Sequence, residues 1–482
     1  MQSQDLYFVI PTYRLRDVGE TVEQYDEHLW RNGHSVPIVV FDDSSPANHE
    51  KYYPVLEKTT THNDLFYVGP REKEQFLAFL NGRLKDRKLQ SLVKDLFRPS
   101  YGGNRNYPLM YTLGGVFVSN DDDMRPYAFM ETSPESLGDD EVCHGRLRKT
   151  GQNGYTKKSF DILTTFLDVL GKPVSQVPEN YARGELLVDT ATDLETNATK
   201  GLARENSLVL RHGSVADDAL VKMAQTFRSG TNDVDAIDFV NMFLDDESQT
   251  SLDALNDVYV LVNFRPVVTN VNWRMDCGVA GYDNTAGLPP FFPTRLRFED
   301  YIYRLWIQQD GIVAAHVDAA QNHSKSTYMR NPPASEILNE ELANLLKKKI
   351  KSTITRLDDL TIAFDYEGEV LAQDAEEILA KIRALHAKAT DAARTALPER
   401  AVALRLFAEN LEKTFYGFEP DFFQQNVQQV ADDVVGLVKA SLEIWPTLVE
   451  ICYFQKSRRG LPQIRVQNQR AAEPLKRRTR TP

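Results

Sequence analysis

Three consecutive aspartates, Asp121, Asp122 and Asp123, come shortly after the apolar run 116–118. Adjacent carboxylates repel one another, so holding them together at the end of a strand is costly unless a cation compensates. Mg²⁺ or Mn²⁺ would do so, since these hard ions bind one or two carboxylates together with phosphate oxygens. A solvated acidic loop is the alternative. The position after a predicted strand favours the metal-binding interpretation.

A second acidic pair, Asp42 and Asp43, ends the apolar run 36–41. A carboxylate here could accept hydrogen bonds from a nucleotide base or from ribose hydroxyls, as the acidic residue of a dinucleotide-binding fold does. An Asx turn or a helix N-cap built by Asp-Asp-Ser-Ser is the alternative. The two interpretations can hold for different side chains of the pair.

A third acidic pair, Glu299 and Asp300, opens a predicted helix after a proline-rich loop. Its charge would complement the positive end of the helix dipole. Beyond this helix comes a predicted strand at 312–316, which ends on His316, with His323 further on. A lone histidine at such a place is otherwise a surface or capping residue.

The elements that must position these residues alternate along the first part of the chain. Apolar runs at 6–10, 36–41, 65–68 and 116–118 predict strands, and apolar residues at helical spacing lie between them. This alternation is typical of an α/β fold whose parallel sheet has right-handed crossovers. Ligands bind outside the carboxyl ends of such strands, where the first two acidic groups lie.

The rest of the chain is less regular. Residues 130–255 are interpreted as an insertion on the sheet, with helical patterns near 215–228 and 233–246, before another predicted strand at 258–264. We assign residues 1–330 to a catalytic domain, 331–455 to an all-helical C-terminal domain and 456–482 to a flexible basic tail. The helical domain could support self-association, and the tail could contact anionic lipid at the inner face of a membrane.

The composition of the chain excludes several classes of protein. A net charge of -13 over 482 residues argues against a nucleic-acid binder, because neutralising phosphates needs lysine and arginine on one face. The three cysteines lie far apart, so neither a disulfide framework nor a cysteine zinc site is expected. No apolar run reaches about 18 residues, and we expect a cytoplasmic protein without a signal peptide.

Five motifs in order along the chain resemble the GT-A glycosyltransferases, closest to the family 2 type. They are Phe8–Arg14, Val39–Ser45, Gly103–Asn106, Asp121–Asp123 and the region from Arg297 to His323. The resemblance implies a GT-A fold, which is a mostly parallel sheet flanked by helices. It does not cover the insertion or the helical domain.

The activity implied by this resemblance is that of a metal-dependent glycosyltransferase. It would move a sugar from a UDP- or GDP-sugar to a hydroxyl of a glycan, a glycolipid or a small molecule. Mn²⁺ or Mg²⁺ would neutralise charge on the diphosphate as its bond to the sugar breaks.

The resemblance also implies roles for individual residues at the donor end. Tyr13 would lie against the nucleotide base, Asp43 would accept from a base N–H, and Arg105, in the turn before the aspartate strand, would help to hold the base. Asp122 would lie near the ribose or the sugar. The same donor-binding group includes Pro11 and Arg14.

The metal and the acceptor have implied ligands as well. Asp121 and Asp123 fit the DxD pattern and would bind the metal together with His323, with His316 as the rival histidine. Asp300, in preference to Glu299, would be the general base that deprotonates the acceptor hydroxyl in an inverting reaction.

Two other functions compete with this one. A sugar-phosphate nucleotidyltransferase shares the sheet and an acidic metal site, but the chain has no glycine-rich loop followed by arginine and lysine near its first strand. A catalytically inactive GT-A-like scaffold that binds a protein partner through its helical domain is the non-enzymatic alternative.

Overall fold

The computed structural model describes residues 5–44, 46–147, 154–188, 202–230, 244, 259–272, 274–293, 299–324, 334–335, 337–343 and 368–471. Within them, no helix combines the length and the apolar character needed to cross a membrane.

Strands and helices alternate through the first 120 residues, as the sequence predicts. In chain order they are β1 (Leu6–Thr12), α1 (Leu15–Arg31), β2 (Ile38–Asp42), α2 (Pro46–Glu57), β3 (Thr60–Thr61), β4 (Leu65–Val68), α3 (Pro70–Arg83), α4 (Arg87–Leu96), α5 (Tyr101–Tyr111) and β5 (Val116–Asn120).

The middle of the chain is mainly β-structure. Its elements are β6 (Met124–Arg125), β7 (Ala128–Glu131), β8 (Glu141–Leu147), β9 (Tyr155–Lys158), α6 (Ile162–Leu167), β10 (Ala182–Val188), β11 (Leu202–His212), β12 (Val221–Gly230), β13 (Tyr259–Phe264), β14 (Val267–Asn272), β15 (Val279–Asp283), α7 (Glu299–Gln309) and β16 (Val313–His323).

The C-terminal part is helical up to its last segment. Residues 334–335 and 337–343 are helical. The named elements that follow are α8 (Gly368–Thr395), α9 (Pro398–Thr414), α10 (Pro420–Arg459), β17 (Ile464–Arg465) and β18 (Gln469–Arg470).

One large mixed sheet organises these elements, in the order β17-β4-β2-β1-β5-β15-β12-β16-β14-β10-β11-β8-β13-β7-β9, with β6 paired to β16. The prediction of a parallel sheet flanked by helices is confirmed for β4, β2, β1 and β5, which are all parallel. Beyond β5 the sheet is mixed, since β15 runs antiparallel to both β5 and β12. The fold is therefore α/β.

Both faces of the parallel strands are buried, because successive side chains of a strand point to opposite faces. Phe8 and Ile10 of β1 pack with Val18 and Val22 of α1 on one face. Val9 belongs to the core of the other face, together with residues of α3, α5 and α10. This two-sided core fixes the strands whose carboxyl ends carry the candidate site.

The helical pattern expected near 215–228 is wrong, because Val221–Gly230 forms strand β12. This strand lies inside the sheet, between β15 and β16. Val221 and Ala224 pack into one core, while Met223 packs into the other. The apolar residues of β12, which are Val221, Met223, Ala224 and Phe227, do not alternate, and its pairing with β16 shifts register twice, so the strand period of two is hidden. Apart from residue 244, the pattern near 233–246 lies outside the described residues.

The last helix belongs to the core of the sheet. Ile444, Trp445, Leu448 and Cys452 of α10 are buried among side chains of α3, α4 and α5. The indole N–H of Trp445 donates to the carbonyl of Leu288 at 2.8 Å. This part of the helical region therefore packs against the sheet.

The basic segment after residue 456 differs from the flexible tail that its composition suggests. Residues of β17 pair with β4, and β18 pairs with β3. Arg465 and Arg470 both form ion pairs with Asp64, which gives two basic residues of this segment a place at the sheet. Residues 472–482 lie outside the described part of the chain.

Candidate functional site

Most of the predicted site residues lie at one edge of the sheet, where three neighbouring parallel strands end. These strands are β2, which ends at Asp42, β1, which ends at Thr12, and β5, which ends at Asn120. The backbone N–H of Asp43 donates to the carbonyl of Thr12 at 2.9 Å, so the chain segments leaving β1 and β2 stay together.

Asp122 is the residue that shapes this edge. Its Oδ2 accepts hydrogen bonds from the hydroxyl of Thr12 at 2.8 Å and from the backbone N–H groups of Tyr13 and Arg14 at 2.9 and 2.7 Å. The hydroxyl of Thr21 and Nη1 of Arg125 donate to its carbonyl oxygen. Asp122 therefore holds the loop between β1 and α1, and the place near the ribose or the sugar that the resemblance implies for it stays a prediction.

Asp123 is buried between two basic side chains. Nη1 of Arg14 forms an ion pair with its Oδ2, and Nε2 of His323 lies 3.3 Å from the same oxygen. Burial alone would raise the pKa of Asp123, but Arg14 and His323 bring it well below its ordinary value. Asp123 is therefore ionised at neutral pH, and His323 reaches it from the end of β16.

Asp121 is paired with Arg105. Nη2 of Arg105 lies 2.8 and 3.1 Å from the two carboxylate oxygens, and Nη1 donates to the carbonyl of Cys277 at 2.9 Å. The turn expected around Arg105 is instead the start of helix α5, which is capped by the Ser100 hydroxyl accepting from the N–H of Gly103 at 3.0 Å. Arg105 thus links the aspartate run, Asp121–Asp123, to the segment before β15.

Asp300 reaches the same segment from helix α7. Its Oδ2 accepts from the backbone N–H of Cys277 at 3.3 Å, while its Oδ1 has no hydrogen-bond partner among the described residues. Burial raises the pKa of Asp300, Arg105 opposes this, and the nearby carboxylate of Asp276 raises it further. An acidic side chain with a raised pKa and an oxygen that no described residue pairs can act as a general base. Glu299 is buried in the same first turn of α7.

The pair Asp42 and Asp43 divides into two roles. Asp42 forms an Asx turn by accepting from the N–H of Ser44 at 2.7 Å, and it also accepts from the hydroxyl of Tyr67 at 2.7 Å. Asp43 lies 3.2 Å from Nζ of Lys73. Burial raises the pKa of Asp43, and the ammonium of Lys73 opposes this shift. Asp42 is thus buried in local contacts, and the base contact predicted for Asp43 stays a prediction.

Tyr13 and Pro11 differ in what they can contact. Tyr13 is 65% exposed at the tip of the loop held by Asp122, so its ring is open to a planar ligand. Pro11 is buried inside β1, where it lies opposite Phe41. The structure thus leaves Tyr13 open to a base and gives Pro11 a place in the sheet.

A divalent metal does not fit these side chains as they stand. Among the described residues, no group of three His, Cys, Asp or Glu side chains could hold a metal ion. Asp123 and His323 are adjacent, but Asp121 is held by Arg105. His316 is buried elsewhere, with Nε2 3.2 Å from the side-chain oxygen of Asn272. The expectation of Mn²⁺ or Mg²⁺ therefore stays a prediction.

Sequence reasoning missed three residues at this edge. Lys73 is buried and donates to Asn104 at 2.7 Å as well as contacting Asp43. It stands in the first turn of the helix after β4, a position that faces the carboxyl edge and could have been noticed. Asp276 accepts from the N–H of Gly278 at 3.0 Å and pairs with Arg228 of β12, and no local pattern marks either of these two residues.

No protein-family model matches the chain, and a search of curated proteins gives no match. The function is therefore argued from the residues and geometry of this edge.

Proposed function

We propose that the protein is a glycosyltransferase that uses a nucleoside-diphosphate sugar. The observation that carries this proposal is that two chemically different groups of side chains, a donor end and an acceptor end, lie at one edge of the sheet. An exposed aromatic ring and a carboxylate paired with a buried lysine lie at one end. A carboxylate whose Oδ1 is buried without a hydrogen-bond partner among the described residues lies at the other, and Arg105 connects Asp121 to it through the backbone of Cys277.

The donor end suits a nucleotide. Tyr13 offers an exposed ring for stacking, and the partly buried carboxylate of Asp43 offers an acceptor to a base N–H or a ribose hydroxyl. Arg14 follows Tyr13 directly and helix α1 begins at Leu15, so a guanidinium and a helix N-terminus lie next in the chain to the ring that would hold the base. The donor is thus expected to run from Tyr13 toward Asp121 and Asp123.

The acceptor end supports an inverting transfer. Asp300 would accept the proton of an acceptor hydroxyl while the oxygen of that hydroxyl bonds to the anomeric carbon of the sugar. The bond from that carbon to the diphosphate oxygen breaks with its electron pair, and the nucleoside diphosphate leaves. Arg105, which lies near both Asp121 and Asp300, would hold the donor end and the acceptor end at a fixed distance from each other.

Nucleotide binding and donor turnover test the proposal directly. UDP or GDP at millimolar concentration, with Mn²⁺ or Mg²⁺ and separately with a chelator, is expected to raise the melting temperature, because a ligand that binds only the native state stabilises it. UDP- and GDP-sugars are then incubated with a panel of glycan and small-molecule acceptors, and released nucleoside diphosphate is measured.

The other outcomes separate the competing functions. An unchanged melting temperature with every nucleoside diphosphate in both conditions would contradict the proposal. Release of pyrophosphate from a nucleoside triphosphate and a sugar phosphate would indicate a nucleotidyltransferase. Nucleotide binding without turnover on a broad panel of acceptors would indicate an inactive scaffold.

Tyr13→Ala is expected to weaken binding of the nucleoside diphosphate by roughly 10- to 100-fold, since stacking of a base on an aromatic side chain contributes about 1–3 kcal/mol. Isothermal titration calorimetry measures the change in Kd. Tyr416→Ala is the matched control, because Tyr416 is 62% exposed and belongs to the C-terminal helical region. Equal Kd values for wild type and Tyr13→Ala would remove Tyr13 from the base site.

A further inference from the structure

The positive charge that faces the three carboxylates of the aspartate run comes from two arginines. Nη1 of Arg14 lies 3.1 Å from Oδ1 of Asp122 and also forms an ion pair with Oδ2 of Asp123. Nη2 of Arg105 lies 2.8 Å from Asp121. Each of the three carboxylates is therefore paired with a guanidinium, with Arg14 shared between two of them, which weakens the electrostatic reason for expecting a metal at this run.

The position of Arg14 is fixed by the backbone as well as by its side chain. Its N–H donates to Oδ2 of Asp122, which also accepts from the N–H of Tyr13 and the hydroxyl of Thr12. One carboxylate thus holds both the main chain and the guanidinium of Arg14. Such double anchoring is what a preorganised binding residue requires.

The guanidinium of Arg14 has further N–H donors besides those of Nη1. Its side chain is 18% exposed, and among the described residues both of its carboxylate contacts are made by Nη1. A guanidinium carries five N–H donors in a planar fork that matches phosphate oxygens. The remaining donors can therefore bind a phosphate while Nη1 stays on the aspartates.

A divalent ion bound by Asp121, Asp123 and His323 would meet carboxylates that are already paired with arginine. It would compete with Arg105 for Asp121 and with Arg14 for Asp123. Displacing either arginine would leave a buried charge without its partner, which is strongly unfavourable. These ion pairs therefore disfavour a divalent ion at the aspartate run.

We infer that Arg14, held by Asp122 and Asp123, binds the diphosphate of the donor, so that nucleoside-diphosphate binding does not depend on a divalent metal. This inference rests on the proposed function, because it concerns the same donor site. It assigns the aspartates a positioning role toward Arg14 in place of the metal-binding role expected from the DxD pattern.

Titration of UDP and GDP in a chelator and again with Mn²⁺ tests the inference in wild type, Arg14→Gln and Arg31→Gln. Arg31 is exposed at the far end of α1, so Arg31→Gln removes the same charge away from the site. Wild type and Arg31→Gln are expected to bind with the same Kd in both conditions. Arg14→Gln is expected to bind at least about tenfold more weakly in the chelator, as for loss of a charge-assisted hydrogen bond.

The outcomes distinguish the inference from the proposed function. Binding that appears only with Mn²⁺, or Arg14→Gln binding as well as wild type, overturns the inference and leaves the transferase proposal standing. No binding in either condition overturns both. If Arg14→Gln does not fold, Arg14→Lys keeps the charge but loses the planar fork. It is expected to bind more weakly than wild type in the chelator, and wild-type binding by this variant overturns the inference.

Discussion

Replacing Asp300 with asparagine is expected to lower kcat for sugar transfer by about 10²- to 10⁴-fold, the usual contribution of a general base. The donor Kd should change little, because the amide keeps the shape of the carboxyl group and Arg105 remains paired with Asp121. Steady-state kinetics with a saturating donor and acceptor, together with calorimetry for the donor, separate the two effects. A fall in donor affinity with unchanged kcat would contradict the assignment of Asp300 as the base.

The pH dependence of the same reaction provides an independent check. Wild-type kcat should fall as the pH drops below the pKa of Asp300, because the protonated carboxyl cannot accept a proton. Burial and Asp276 raise this pKa above the ordinary value of 3.8, against the opposing effect of Arg105, so the acidic limb should lie at a higher pH than for an exposed aspartate. The limb should be absent in Asp300→Asn and unchanged in Asp310→Asn, which alters an exposed acid just after α7.

Trp445→Ala is expected to lower the free energy of unfolding by about 3–5 kcal/mol, the usual cost of truncating a buried tryptophan. The side chain is buried, its ring stacks on Phe97 at the end of α4, and its N–H donates to the carbonyl of Leu288. Trp445→Phe should cost less, since it keeps most of the packing and loses mainly this hydrogen bond.

Urea unfolding followed by circular dichroism measures these changes in the free energy of unfolding. Tyr453→Ala is the control, because Tyr453 lies exposed on the same helix and exposed substitutions usually change stability by less than about 0.5 kcal/mol. If Trp445→Ala left the unfolding of the sheet unchanged, α10 would be an independent unit and would not be part of the sheet core.

The parallel strands and their acidic ends were predictable because each signal is local. An apolar run of four to seven residues, as in β1 and β4, is typical of a buried strand, and a following helix fixes the crossover. The order of these elements then brings their carboxyl ends together, which is why Asp43 and the aspartate run could be placed at one edge from sequence.

The partners of those carboxylates could not be predicted, because they depend on contacts between distant parts of the chain. The type and spacing of Asp121 and Asp123 are the same whether a metal or an arginine lies beside them. Only the folded arrangement brings Arg105 onto Asp121 and Arg14 onto Asp123. Strand β12 could not be predicted either, since its apolar residues do not alternate and its pairing with β16 contains two register shifts.

Pairing of the last strands with the first part of the sheet affects how the chain can fold during synthesis. Arg465 contacts Asp64 although 401 residues separate them, and β17 covers β4, which would otherwise end the sheet. Domains fold from the N-terminus as the chain emerges, so β4 stays an open edge until the end of α10 has been made. An open edge strand pairs readily with other chains. Pairing with β17 therefore closes this edge of β4 only once the C-terminal segment has been made.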